Sequence, residues 1–102
     1  MENIYLSDIA DYENQEATFN GWVYNTRSVG KIWFLILRDG TGMTQCVVTR
    51  DDVPNDIFFL EKSLTQESSV SVTGVVKKEP RSVGGHEILV KNIVVHQVAE
   101  KY

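Results

Sequence analysis

Cysteine is almost missing from this chain: Cys46 is the only one in 102 residues, which excludes an internal disulfide and a cysteine-based zinc site. It lies in the apolar run Cys46-Val47-Val48, where a thiol acts as a small buried hydrophobe rather than a nucleophile. Metal ligands are equally scarce. His86 and His96 are the only histidines, and no cysteine or carboxylate set accompanies them to make a cage, so the expectation is no metal. No apolar run approaches the length of a membrane span, and the start Met1-Glu2-Asn3 lacks the basic opening and apolar core of a signal peptide. A soluble, cytoplasmic protein with no membrane partner is expected. Catalytic motifs are missing too. Ser68-Ser69 has no nucleophile-elbow glycines, and Gly40-Thr41-Gly42 is followed by no Gly-Lys-Ser or Gly-Lys-Thr, so neither hydrolase chemistry nor a phosphate loop is supported.

Basic charge is also in short supply, with ten Lys and Arg against fourteen Asp and Glu and a net charge of −4. As an average this argues against nucleic acid, but the distribution is uneven. Residues 1–16 carry Glu2, Asp8, Asp11, Glu13 and Glu16 with no base, and residues 51–67 carry five acids against Lys62. Residues 17–50 carry Arg27, Lys31, Arg38 and Arg50 against Asp39 alone. A local positive groove is compatible with this pattern, and so is a solvated surface with scattered charge.

What the chain does have is strand periodicity. A length of 102 residues with 42% apolar content makes one domain, residues 1–102, with one modest core. Residues 18–27 alternate Phe19, Gly21 and Val23 with Thr18, Asn20, Trp22 and Tyr24. Residues 31–38 alternate Trp33, Leu35 and Leu37 with Ile32, Phe34, Ile36 and Arg38; both faces are apolar, so one must meet something other than water. After the turn Gly40-Thr41-Gly42, residues 43–49 place Gln45 and Val47 opposite Cys46 and Val48. Asp51-Asp52-Val53-Pro54 predicts a helix entry with Pro54 in the first turn, the paired acids favouring the macrodipole and Ile57, Phe58, Leu60, Glu61 and Leu64 at helical spacing. Residues 68–78 form a fourth strand with Gly74 at a bend or bulge, residues 79–85 a polar hairpin loop, and residues 86–98 a fifth strand. The fold class is all-β: a five-stranded Greek-key barrel of the OB type, one helix between strands 3 and 4. A short N-terminal helical turn, capped by Ser7, packs outside it.

The hairpin at residues 21–45 carries the chemistry. Phe34 offers a flat ring, Gln45 a donor and an acceptor side by side, and Arg27, Lys31 and Arg38 positive charge. An unpaired base needs these three things: a stacking surface, an edge reader and a cation for phosphate. Each has a plainer reading. Phe34 could be core, although Trp33, Leu35 and Leu37 already fill one face; Gln45, Arg27 and Lys31 could be simply solvated; His86 reads most plainly as an exposed histidine.

The residues Gly21-Trp22-Val23, Arg27, Gly30-Lys31, Phe34, Leu37-Arg38-Asp39-Gly40-Thr41-Gly42, Gln45, Glu67-Ser68-Ser69-Val70, Gly74 and Gly84-Gly85-His86-Glu87 resemble the N-terminal anticodon-binding domain of class IIb aminoacyl-tRNA synthetases. The pattern is nearest the asparaginyl branch of archaeal and eukaryotic type, with the aspartyl branch close behind, and covers roughly the whole chain. The resemblance implies that Phe34 stacks on the central uridine of the anticodon, that Gln45 reads its edge, that Arg27, Lys31 and Arg38 meet phosphate or base, and that Glu87 is an acid at the pocket rim. The expected partner is the anticodon loop of a tRNA. ATP and Mg²⁺ would belong to a separate catalytic domain of a dimeric parent enzyme. This chain would be monomeric, hold no cofactor and catalyse nothing. Its ending at residues 98–102, where the barrel closes, suits a piece of a longer chain. A freestanding OB module for single-stranded nucleic acid or for a protein partner is the other reading.

Overall fold

Residues 4–98 are described by a computed structural model of the chain; the expectations about residues 1–3 and 99–102 lie outside the described residues. Five strands follow one another as β1 (Glu16–Val29), β2 (Ile32–Arg38), β3 (Met43–Thr49), β4 (Ser69–Lys78) and β5 (His86–Gln97). They close into a barrel in the order β1-β2-β3-β5-β4, with β4 returning to β1. Every pairing is antiparallel except β3 with β5. This is the Greek-key order expected from the sequence.

The inward parity is as the alternation predicts. Phe19, Val23, Trp33, Leu35, Leu37, Cys46, Val48, Val70, Val72, Val76, Ile88 and Val90 are buried, and burial pushes the Cys46 thiol far up. Two glycines let strands cross closely. A Cβ on Gly21 would stand 2.5 Å from the Arg38 carbonyl oxygen, and one on Gly74 would collide with the Leu89 carbonyl. Gly74 lies at the step where the β4–β5 register shifts, from Thr73 opposite Asn92 to Gly74 opposite Val90; the extra residue is Lys91, so the bulge is on β5, facing Gly74, rather than in β4.

One irregularity matters for the rest. In β1 the register steps from Val23 opposite Leu37 to Asn25 opposite Ile36, leaving Tyr24 as an extra residue. Strict alternation would put Arg27 on the same face as Phe19 and Val23; the bulge reverses the parity and sets Arg27 across from Phe34.

Two local expectations are corrected. The segment after β3 is not one helix from Asp51. It is a 3-10 turn at Arg50–Asp52, one α-helical turn α1 at Asn55–Phe58, and a second 3-10 turn at Phe59–Lys62. Pro54 is the N-cap rather than the first helical residue. Its ring disfavours helical backbone at the preceding residue, and Val53 is extended (φ −133°, ψ 157°), so Asp51-Asp52 are cut off from the helix they were expected to start. Val53, Ile57 and Leu64 are nonetheless buried in the core cluster.

Nor does Ser7 cap the N-terminal turn, a 3-10 helix at Leu6–Tyr12 whose Leu6 and Ile9 join the core. The Leu6 N–H donates to Asp39 Oδ2 (2.7 Å) and the Ser7 N–H to Thr41 Oγ1 (3.2 Å). The cap comes from a turn more than thirty residues away. Asp39 Oδ1 meanwhile accepts from the Thr41 N–H (2.8 Å), the Thr41 hydroxyl (2.6 Å) and the Gly42 N–H (3.2 Å). Burial works against the ionised Asp39, but hydrogen bonds from Thr41, Leu6 and Gly42 outweigh it and hold its pKa below the ordinary value.

Candidate nucleic-acid interface

The outer faces of β1, β2, β3 and β5 carry the sequence-predicted residues in registered rows. In one row Arg27 faces Phe34, Phe34 faces Val47 and Val47 faces Leu89. In the next, Asn25 faces Ile36, Ile36 faces Gln45, Gln45 faces Glu87, and Glu87 faces Lys77 of β4. Phe34 is half-buried and its neighbours in sequence, Trp33 and Leu35, are 1% and 0% exposed. The core role is therefore filled from the other face, and Phe34 is left with its ring in an open site.

Arg27, Phe34 and Gln45 line one cavity of about 430 Å³ together with Asn25, Thr26 and Ile36. The Arg27 guanidinium carbon sits 5.0 Å from the centre of the Phe34 ring, a cation–π contact that orients the ring and brings positive charge to the cavity. Glu87 stands directly opposite Gln45 in the β3–β5 pairing, its carboxylate beside the amide. Burial and the nearby Glu79 push the Glu87 carboxyl above its usual range, while the neighbouring Gln45 amide opposes them. Such a site can sandwich a planar ring, offer amide and carboxylate groups to its edge, and neutralise one phosphate.

Lys31 lies in the turn joining β1 and β2, exposed, its carbonyl accepting from the Arg50 N–H (3.0 Å). Arg38 shares the outer face of β2 with Phe34 but is engaged elsewhere. Its Nη2 donates to both Glu67 carboxylate oxygens (2.7 and 2.9 Å), and its guanidinium carbon stands 5.9 Å from the Trp22 ring centre. The structure thus brings Arg27, Phe34, Gln45 and Glu87 together, keeps Lys31 at the rim, and ties Arg38 into a separate cluster. Asn25, Thr26 and Ile36 were missed by sequence reasoning. The only signal for the first two was that Arg27 carries the parity of Phe19 and Val23, an arrangement that asks for a register change.

His86 is not the exposed residue expected. Its side chain is only 14% exposed and its Nε2 is 3.1 Å from Glu13 Oε1. It shares the inward parity of Ile88 and Val90, at the barrel end covered by the N-terminal helix and away from Phe34. His96 Nε2 pairs with Ser71 Oγ at 2.6 Å. Among the described residues no group of three or more His, Cys, Asp or Glu side chains could hold a metal ion, and no helix is long and apolar enough to cross a membrane.

A small closed β-barrel with an aromatic, an amide and a guanidinium converging on one outer face defines a class of nucleic-acid-binding module, and comparison with known proteins agrees. The OB-fold nucleic acid binding domain of the tRNA anticodon type matches residues 17–95, and the chain belongs to that family. Its relatives are narrower in kind. Over all 102 residues it is 45% identical to the asparagine–tRNA ligase of Pelotomaculum thermopropionicum, covering 24% of that protein. The crystal structure of asparaginyl-tRNA synthetase from Pyrococcus horikoshii, complexed with asparaginyl-adenylate, superposes with a TM-score of 0.91 at 36% identity, over 100% of this chain and 24% of that one. A putative aspartyl-tRNA synthetase from Leishmania major Friedlin gives 0.84 at 25% identity, over 96% of this chain and 21% of that one. The chain spans about a quarter of the length of the curated relatives it matches.

Proposed function

We propose that this chain is the anticodon-recognition module of an asparaginyl-tRNA synthetase. The observation that carries the reading is the cavity in which Arg27, Phe34 and Gln45 meet, with Glu87 directly opposite the amide in the strand pairing. In this reading the central uridine of the anticodon stacks on Phe34 and presents its edge to Gln45, while Arg27 and Lys31 meet the flanking phosphates. Arg38 contributes chiefly by holding Trp22 and Glu67 in place. The identity to asparagine–tRNA ligases over the full chain supports the asparaginyl over the aspartyl assignment. Asparagine and aspartate tRNAs share their first two anticodon bases, so the Phe34 cavity serves both and the third base is read by loops.

The parent enzyme joins asparagine to its tRNA with ATP in the cytoplasm as a homodimer. ATP and Mg²⁺ serve the parent enzyme's separate catalytic domain, and gripping an anticodon loop needs neither. The chain alone binds RNA and catalyses nothing. The test is an NMR titration of the isotope-labelled chain with an asparagine anticodon stem-loop. Shifts should concentrate on Arg27, Lys31, Phe34, Gln45 and Glu87 and spare the outer face of β4 around Ser71 and Thr73. Shifts centred on β4 instead would refute the site.

A further inference from the structure

Uridine and cytidine have nearly the same shape and opposite edges: uridine N3–H donates and O4 accepts, whereas cytidine N3 accepts and N4–H donates. A carboxamide carries one acceptor oxygen and one donor nitrogen side by side. Turned end for end, a glutamine that reads one pyrimidine reads the other. An amide that is to select uridine must therefore be held one way up.

Gln45 has two cross-strand neighbours. Ile36 of β2 offers no hydrogen-bonding side chain, and Glu87 of β5, directly opposite in the parallel pairing, presents a carboxylate beside the amide on the same outer face. An ionised carboxylate can only accept, so beside Gln45 it favours the amide orientation that turns Nε2 toward β5 and gives it one N–H. Oε1 and the second N–H then face the cavity in a fixed order. We infer that Glu87 is a positioning residue, which sets the orientation of the Gln45 amide and through it the preference for uridine over cytidine, without itself touching the base. The inference rests on the base-reading role of Gln45 proposed above, and differs from the rim contact that the family resemblance implies for Glu87.

The test compares two asparagine anticodon stem-loops that differ only in uridine or cytidine at the central position. Both are titrated into the wild-type chain, Gln45→Ala, Glu87→Gln, Glu87→Asp and the Gln45→Ala/Glu87→Gln double variant, with the ratio of the two Kd values as readout. Glu87→Gln keeps size but can donate as well as accept, so the ratio should fall by at least about fivefold. Removing the negative charge should strengthen both complexes alike and leaves the ratio free of that effect. Glu87→Asp, shorter but acceptor-only, should retain more of the ratio than the isosteric Gln, an order that a purely structural role would reverse. In the Gln45→Ala background Glu87→Gln should change the ratio no further. If it lowers the ratio there too, Glu87 reads the base itself and the inference is overturned. If Gln45→Ala collapses the ratio and Glu87→Gln leaves it intact, positioning fails while base reading stands. If Gln45→Ala leaves the ratio unchanged, the base-reading proposal falls and the inference with it.

Discussion

Phe34 can be separated from the core by a pair of substitutions. Truncation to Ala removes a ring that is half-buried and that carries the Arg27 guanidinium at 5.0 Å. A fully buried Phe→Ala costs about 3–5 kcal/mol, so a half-buried one should cost about 2 kcal/mol, with the exposed cation–π contact adding about 0.5–1 kcal/mol. Loss of the stacked base should cost a further 1–3 kcal/mol in RNA binding, or about 5- to 150-fold in Kd. Phe34→Leu sharpens the measurement. It keeps apolar volume, so stability should drop by less than about 1.5 kcal/mol, yet it has no π-face and should lose most of the binding that Ala loses. The assay is fluorescence anisotropy with a labelled anticodon stem-loop, run beside urea denaturation of each variant. Leu35, 0% exposed, is the control: Leu35→Ala should cost about 2–5 kcal/mol of stability and leave the Kd of the folded protein unchanged. The reasoning fails if Phe34→Leu binds as tightly as wild type, or if Phe34→Leu destabilises the fold as much as Leu35→Ala.

Arg27→Ala should weaken binding to all loops alike and reduce the slope of log Kd against log salt by about 0.7, whereas Arg38→Ala should barely change the slope because Glu67 already holds that charge. Asp39→Ala should destabilise by about 0.5–2 kcal/mol, the usual worth of a helix N-cap, as read by denaturant midpoint. Since the folded pKa of Asp39 lies below its ordinary 3.8, this contribution is complete above that value and is lost as pH falls through the lowered one. Wild type and variant should therefore converge in stability in that acid range and differ constantly at neutral pH. Gly74→Ala should cost about 1–3 kcal/mol or more, because its Cβ meets the Leu89 backbone, which cannot move aside as a side chain would; a melting temperature equal to wild type would contradict the packing.

The strands were legible because side-chain alternation has a period of two and one face of each is packed. The doubly apolar β2 betrayed a second surface at Phe34, and Gly74 marked the β4–β5 register shift, though not that β5 carries the extra residue. What the sequence hid was non-local. The extra residue at Tyr24 carries no glycine to announce it, yet it decides that Arg27 stands over Phe34. Ser7 looked like a cap because local capping chemistry is what a sequence displays; Asp39 supplies it through a fold-dependent contact. The Pro54 break could have been read from Val53, which the following proline keeps out of helical backbone. His86 shares parity with Ile88 and Val90, a signal for burial that its glycine neighbours obscured. The pairing of Gln45 with Glu87 depends on how β5 closes against β3, and no spacing along the chain encodes that registry.

The most direct measurement for the anticodon-recognition account is the affinity of the chain for three stem-loops of equal length and stem sequence, with uridine, cytidine or adenine at the centre of the anticodon. Stacking alone would bind all three comparably, because every base has a π-face. An amide that reads the edge should favour uridine by at least about fivefold, with wild-type preference for uridine over both other bases at every salt concentration. Equal affinity for the three loops, or no binding at low salt, would contradict the account.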